Sequence, residues 1–170
     1  ARAHALIIAE ADRAMTPGEA LMMANTHITR FEKSRQFVTA LYGVLDTTTG
    51  EFSYARAGHE PPLLLKPNGE VERLPHKPGM ALGLWEEILL DENSVHLPND
   101  SLLLLFTDGM TDCRSPNGEA FGLDRLRQTL NGLDHTSAQS SCDQLLETLL
   151  NYQDGSKQDD DVTLVAVHAK

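Results

Sequence analysis

The chain has 170 residues, 41% of them apolar and 23% charged, which is enough for one domain with a buried core. Its formal net charge of −11 disfavours non-specific binding to nucleic-acid backbones or anionic lipid, but leaves a phosphorylated ligand open if cations bridge the two. The longest strong apolar block, Leu102 to Phe106, is far short of the roughly 18 residues of a membrane span, and no signal peptide is visible.

The spacing predicts a first helix from about Ala3 to Met15. A second starts at Thr16-Pro17-Gly18-Glu19, with Thr16 as N-cap, Pro17 at the first helical position and Glu19 closing a capping box. Leu21, Ala24, Ile28 and Phe31 form its apolar stripe, and it should end near Lys33. Phe37 to Asp46 is apolar at odd and even positions alike, which predicts a central strand covered on both faces. FSYARAG follows as its antiparallel partner, across the Asp46 to Gly50 turn.

PLLLK and VERL flank Pro67-Asn68-Gly69, a hairpin signal. A looser stretch, His76 to Glu87, leads to the strands SVHL and LLLLF. Two helical patterns come next: FGLDRLRQTL, with Leu123, Leu126 and Leu130, and SCDQLLETLL, with Leu145, Leu146, Leu149 and Leu150. A polar loop and a last strand, VTLVAVH, close the chain. Antiparallel hairpins with helices gathered at both ends define an α+β class.

Several chemistries lack their residues. No HxxxH or CxxC pattern offers a zinc site, and there is no GxSxG elbow or P-loop. Asp154 to Asp161 lacks the glycine and terminal glutamate of an EF-hand loop. Cys113 and Cys142 read as free thiols of a reducing cytosol. Two acidic strand ends remain. Asp108 follows the leucine strand directly, and Gly109 after it lets something approach the backbone closely. Asp159, Asp160 and Asp161 precede the final strand. If those strands are neighbours, the carboxylates emerge at one edge and suit hard Mg²⁺ or Mn²⁺ rather than zinc. A turn at Asp108-Gly109 and a solvated acidic loop are the plainer alternative.

FVTALYGVLDTTTGEFSYARAGHEPPLLL, LLLLFTDGMTD, FGLDRL and DDDVTLV, in that order, resemble the PPM-type metal-dependent protein phosphatases of bacteria, in the SpoIIE/RsbU group. The resemblance runs from Thr16 onward. It implies an αββα sandwich of antiparallel sheets flanked by helices, with two Mn²⁺ or Mg²⁺ ions held by aspartates. By motif match these are Asp108 of TDG and Asp160 of DDVT, both taken as catalytic and metal-binding, with Asp161 a further or alternative ligand. Asp159 falls outside the pattern. The implied reaction is metal-assisted hydrolysis of a phosphoserine or phosphothreonine ester by in-line attack of water, with no covalent enzyme intermediate. His59 of AGHEPP is a weaker candidate, more plausible bonded to nearby backbone than as an acid, and Asn25 matches a structural asparagine. The helix pair before Phe37 matches a region thought to act as a switch in relatives.

The family also carries an earlier aspartate and an Asp followed by a Gly-rich turn, which have no counterpart after Ala1. Residues 1–170 are therefore expected to form a single phosphatase domain lacking its first strands, within a longer protein with an upstream sensor or receiver domain. On its own the chain is expected to turn over little substrate and to hold metal weakly. The expected partner is a phosphorylated regulatory protein of the anti-sigma-factor-antagonist type in the cytoplasm, with no nucleic acid and no membrane; a homodimer is left open. The competing readings are a catalytically deficient, phosphatase-like binding module and, more remotely, a two-metal phosphoesterase acting on nucleotides.

Overall fold

The computed structural model describes residues 2–31, 37–134 and 137–170. The chain divides into two compact units, residues 1–59 with 75–96, and residues 60–74 with 97–170.

In the first unit, helices α1 (Arg2–Ala11) and α2 (Pro17–Phe31) accompany a three-stranded antiparallel sheet. Its strands are β1 (Ala40–Asp46), β2 (Glu51–Ala57) and β5 (Asp91–His96), in the order β1-β2-β5. The Thr16 hydroxyl accepts the Glu19 N–H at 3.2 Å, as an N-cap should. The return bond of the box is displaced by one residue, because the Glu19 carboxylate takes the Met15 N–H at 2.8 Å. Leu21 and Ile28 of α2 pack with Ala55, Ala57, Leu82 and Ile88. The expected helix end near Lys33 and the Phe31 side chain lie outside the described residues.

The central-strand expectation for Phe37 to Asp46 is corrected. The strand begins at Ala40 and, among the described residues, lies at an edge of its sheet, with Val44 49% exposed, while β2 holds the middle. Apolar residues on both faces signalled burial on both faces, but cover runs out along the strand: Ala40 and Tyr42 pack with the core, while Val44 on the same face does not.

In the second unit, β3 (Leu63–Leu65), β4 (Val71–Arg73), β6 (Leu102–Phe106) and β7 (Leu164–His168) form an antiparallel sheet in the order β4-β3-β6-β7. Helices α3 (Asp108–Asp112), α4 (Gly122–Gly132) and α5 (Ala138–Gln153) complete it. Pro67-Asn68-Gly69 makes the β3–β4 hairpin. The Gly69 N–H reaches the Lys66 carbonyl at 2.9 Å, and Gly69 sits at φ +83°, where a side chain would be strained. Leu102, Leu104 and Phe106 of β6 are buried with Leu63, Leu65, Met110, Leu126, Leu130, Leu145 and Leu149. Of the apolar quartet on α5, only Leu145 and Leu149 enter that core; Leu146 and Leu150 are 44% and 55% exposed. Four leucines in consecutive pairs cover more of the helix circumference than this core takes up.

Candidate metal centre

β6 and β7 pair antiparallel, with Phe106 opposite Leu164. The C-terminal end of the leucine strand therefore lies beside the start of the final strand. One residue further out, the ladder continues, since the Thr107 N–H donates to the Thr163 carbonyl at 3.1 Å. The Thr107 hydroxyl donates to the Asp161 carbonyl at 3.1 Å and accepts the Thr163 N–H at 2.9 Å. Thr107 thus clips the acidic loop to the end of β6.

The chain then turns into the short helix α3, which begins at Asp108, where a simple turn was the plainer alternative. A Cβ added at Gly109 would collide with the Asp161 carbonyl oxygen and lie 3.0 Å from its carbon, with the Asp160 carbonyl oxygen at 3.4 Å. What approaches Gly109 is the chain's own backbone. That close approach fixes Asp108 and the Asp160-Asp161 segment on one rim.

All three aspartates are exposed. The Asp108 carboxylate accepts the Gly109 N–H at 3.1 Å, and that of Asp160 accepts the Asp161 N–H at 2.7 Å. Among the described residues, none of the three carboxylates joins an ion pair with a Lys, Arg or His of the chain. An oxygen-only rim without a basic partner matches the donor chemistry of a hard divalent cation. In number it is sparse: among the described residues, no three His, Cys, Asp or Glu side chains gather as a metal-holding cluster.

His59 and Asn25 belong to the first unit, not to the unit that carries the acids. The His59 ring Nδ1 lies 3.4 Å from the Thr39 hydroxyl, and its backbone carbonyl accepts from Arg56 Nη1. Asn25 is fully buried. Its Nδ2 donates to the Trp85 and Glu86 carbonyls, and its Oδ1 accepts the Gly83 N–H, which pins the loop to α2.

Two features escaped the sequence reading. Thr107 was one; its position directly before Asp-Gly at a strand end was the available signal. The other is the buried pair Arg56–Asp91, at 2.8 Å with side chains 7% and 0% exposed. Burial pushes the Asp91 carboxyl upward, but the Lys77 N–H, Asn93 and Arg56 outweigh it and hold the group below its ordinary range. These residues lie far apart in sequence, so no local motif announces them.

The strand pairing and the glycine contact put the candidate acids at one end of the second unit's sheet. The SpoIIE family model, stage II sporulation protein E, matches residues 1–170, and the chain belongs to that family. Protein IcfG of Synechocystis sp. (strain ATCC 27184 / PCC 6803 / Kazusa) is 35% identical over 150 residues, covering 88% of this chain and 23% of the relative. Phosphoserine phosphatase RsbU of Bacillus subtilis (strain 168) is 27% identical over 154 residues, covering 91% and 45%. The chain thus spans less than half the length of either relative.

The SiaA-PP2C domain of Pseudomonas aeruginosa superposes with a TM-score of 0.87 at 20% identity, covering 99% of this chain and 68% of that one. The Mn-presoaked phosphatase domain of SpoIIE from Bacillus subtilis does so at 0.69 and 16% identity, covering 99% and 73%. These likenesses show the PP2C fold, the fold class that the sequence resemblance implied. Among the described residues, no helix is long and apolar enough to cross a membrane.

Proposed function

We propose that the protein carrying this chain is a Mn²⁺- or Mg²⁺-dependent phosphatase that hydrolyses phosphoserine or phosphothreonine on a regulatory protein of the anti-sigma-factor-antagonist type, in the cytoplasm. The observation that carries this reading is the β6–β7 pairing, which brings Asp108 and Asp160-Asp161 to one rim. The similarity to phosphoserine phosphatase RsbU supports the reaction type.

Asp108 and Asp160 would hold the cations, with Asp161 as a further ligand; water and phosphoryl oxygens would complete coordination. Bound divalent cations supply charge neutralisation for the phosphoryl group and activation of the attacking water. The chain's own part is positioning. Thr107 and Gly109 set the spacing between the two acidic segments, and the buried leucines of β6 keep that edge from shifting. No activated Ser or Cys is required. Cys113 is unsuited to nucleophilic work, because burial first, and the Asp159 charge second, push its thiol pKa up.

The test is hydrolysis of p-nitrophenyl phosphate and of a phosphoserine protein by the full-length protein. Turnover should require Mn²⁺ or Mg²⁺, stop with chelator, and fall in Asp108→Asn at least about 10–100-fold, the loss typical of disturbing even the outer partners of a metal site. Metal-independent turnover, or full activity in Asp108→Asn, would overturn the reading. A folded, metal-binding protein without turnover would favour a binding module.

A further inference from the structure

A cavity of about 140 Å³ opens beside the acidic rim, within the second unit. Gly109 and Asp160 are among its lining residues, so it adjoins the candidate metal centre. Its apolar wall includes Leu146, Leu149 and Leu150 of α5 and Val162. Leu146 and Leu150 are the two leucines left out of the core, which packs without them.

The polar lining is mixed. Asp112 and Asp159 stand there together with Arg114 and Lys157. Neither cation forms an ion pair with a carboxylate among the described residues, in a chain of net charge −11. Among the described residues, the Arg114 side chain donates to the Gly118 carbonyl at 2.7 Å. Two exposed cations that decline the chain's abundant acids are available to an acidic group from outside.

Size restricts the occupant. A cavity of roughly 150 Å³ takes a group the size of benzene. The wall from Leu146 to Gln153 runs about 10 Å along α5, the span of about three extended residues. We propose that this groove is a specificity subsite for the substrate polypeptide. It takes one apolar side chain within three residues of the phosphorylated serine, and an adjacent carboxylate meets Lys157 or Arg114. This rests on the phosphatase reading, since the phosphoryl group at the rim brings the flanking segment to the groove. Binding energy collected there raises turnover of proteins over small esters.

The probes are p-nitrophenyl phosphate and phosphoserine decapeptides otherwise made of alanine and glycine. One set carries Leu and Glu within three residues on the N-terminal side of the phosphoserine, one carries them on the C-terminal side, and one carries neither. With the full-length protein, one Leu/Glu set should exceed the plain peptide in kcat/KM by about tenfold, the effect of about 1.4 kcal/mol. In the double variant Leu146→Ser/Leu150→Ser, the ratio of peptide to p-nitrophenyl phosphate kcat/KM should fall by a similar factor. Lys157→Glu should lower that ratio, and exchanging the peptide's Glu for Lys should restore part of it.

Ratios that stay constant across these variants, with p-nitrophenyl phosphate still hydrolysed, would overturn the groove alone. Failure of the unsubstituted protein to hydrolyse p-nitrophenyl phosphate or any peptide would overturn the phosphatase reading, and the groove with it. Tight binding of unphosphorylated Leu/Glu peptides, without any phosphoserine advantage, would also overturn the subsite, making the groove a general docking surface.

Discussion

Asp91 in the first unit and Asp108 in the second are the same residue type under opposite treatment. Asp91 is fully buried and surrounded by donors: Arg56, Asn93 and the Lys77 N–H. Asp108, with Asp160 and Asp161, stands exposed at the end of a hydrocarbon core and meets no cation of its own chain among the described residues. A buried carboxylate must be compensated internally or the fold suffers, so compensation marks a structural role. An exposed carboxylate fixed in place but without a cationic partner among the described residues can accept a cation from solution.

The largest effect that would break this contrast is at the buried pair. Asp91→Asn, or Arg56→Met alone, should cost about 3–5 kcal/mol of unfolding free energy in urea titrations, because an unpaired charge stays buried. The double replacement Arg56→Met/Asp91→Leu should cost less than either single one. Equal or additive losses would remove the pair's structural role.

Next is Gly109→Ala. The added methyl meets backbone, not a flexible side chain, so the acidic loop must shift. A loss of roughly 1–3 kcal/mol is expected, as for overpacking elsewhere, accompanied by weaker metal binding. Unaltered stability and metal affinity would mean that the Asp161 carbonyl does not sit where the structure puts it.

The pH dependence sharpens the same comparison. The folded-state pKa of Asp91 is lowered, so near the acid end the unfolded chain binds the proton more readily. Its stabilisation is complete above the unfolded value of about 3.9 and is lost as pH falls through the folded value. Acid titration of stability should therefore be shallower below about pH 4 in Asp91→Asn. An unchanged slope would contradict the assignment.

The smallest stability effect is at the rim. Asp108→Asn should change unfolding free energy by no more than about 0.5 kcal/mol, as for exposed positions generally. A large loss there would make Asp108 structural after all.

Much of the second unit was legible in the sequence because its signals are local. The Pro67-Asn68-Gly69 turn, the continuous leucines of β6 and the helical spacing of Leu126 and Leu130 each specify their own element. Asp108 and the Asp159-Asp160-Asp161 run stood out as candidates because each lies close to an apolar strand, and the motif resemblance singled out Asp160. What escaped depended on contacts between distant segments. The Arg56–Asp91 pair joins β2 to β5, and the backbone contact at Gly109 joins α3 to the loop before β7. β1 was misjudged for a related reason: a strand's own residues show how apolar it is, not whether a neighbour covers it. The four leucines of α5 fit a helix, but their spacing does not say how far around it the core extends, and Leu146 and Leu150 stay outside.

The most direct measurement is an electron paramagnetic resonance titration of Mn²⁺ against the full-length protein, Asp108→Asn, Asp160→Asn and, as a structural control, Asn25→Ala. Both aspartate variants should bind Mn²⁺ at least about tenfold more weakly while remaining folded, and Asn25→Ala should keep its affinity even as it loses stability. Unchanged Mn²⁺ affinity in Asp108→Asn and Asp160→Asn would contradict the claim that the paired ends of β6 and β7 form a cation site.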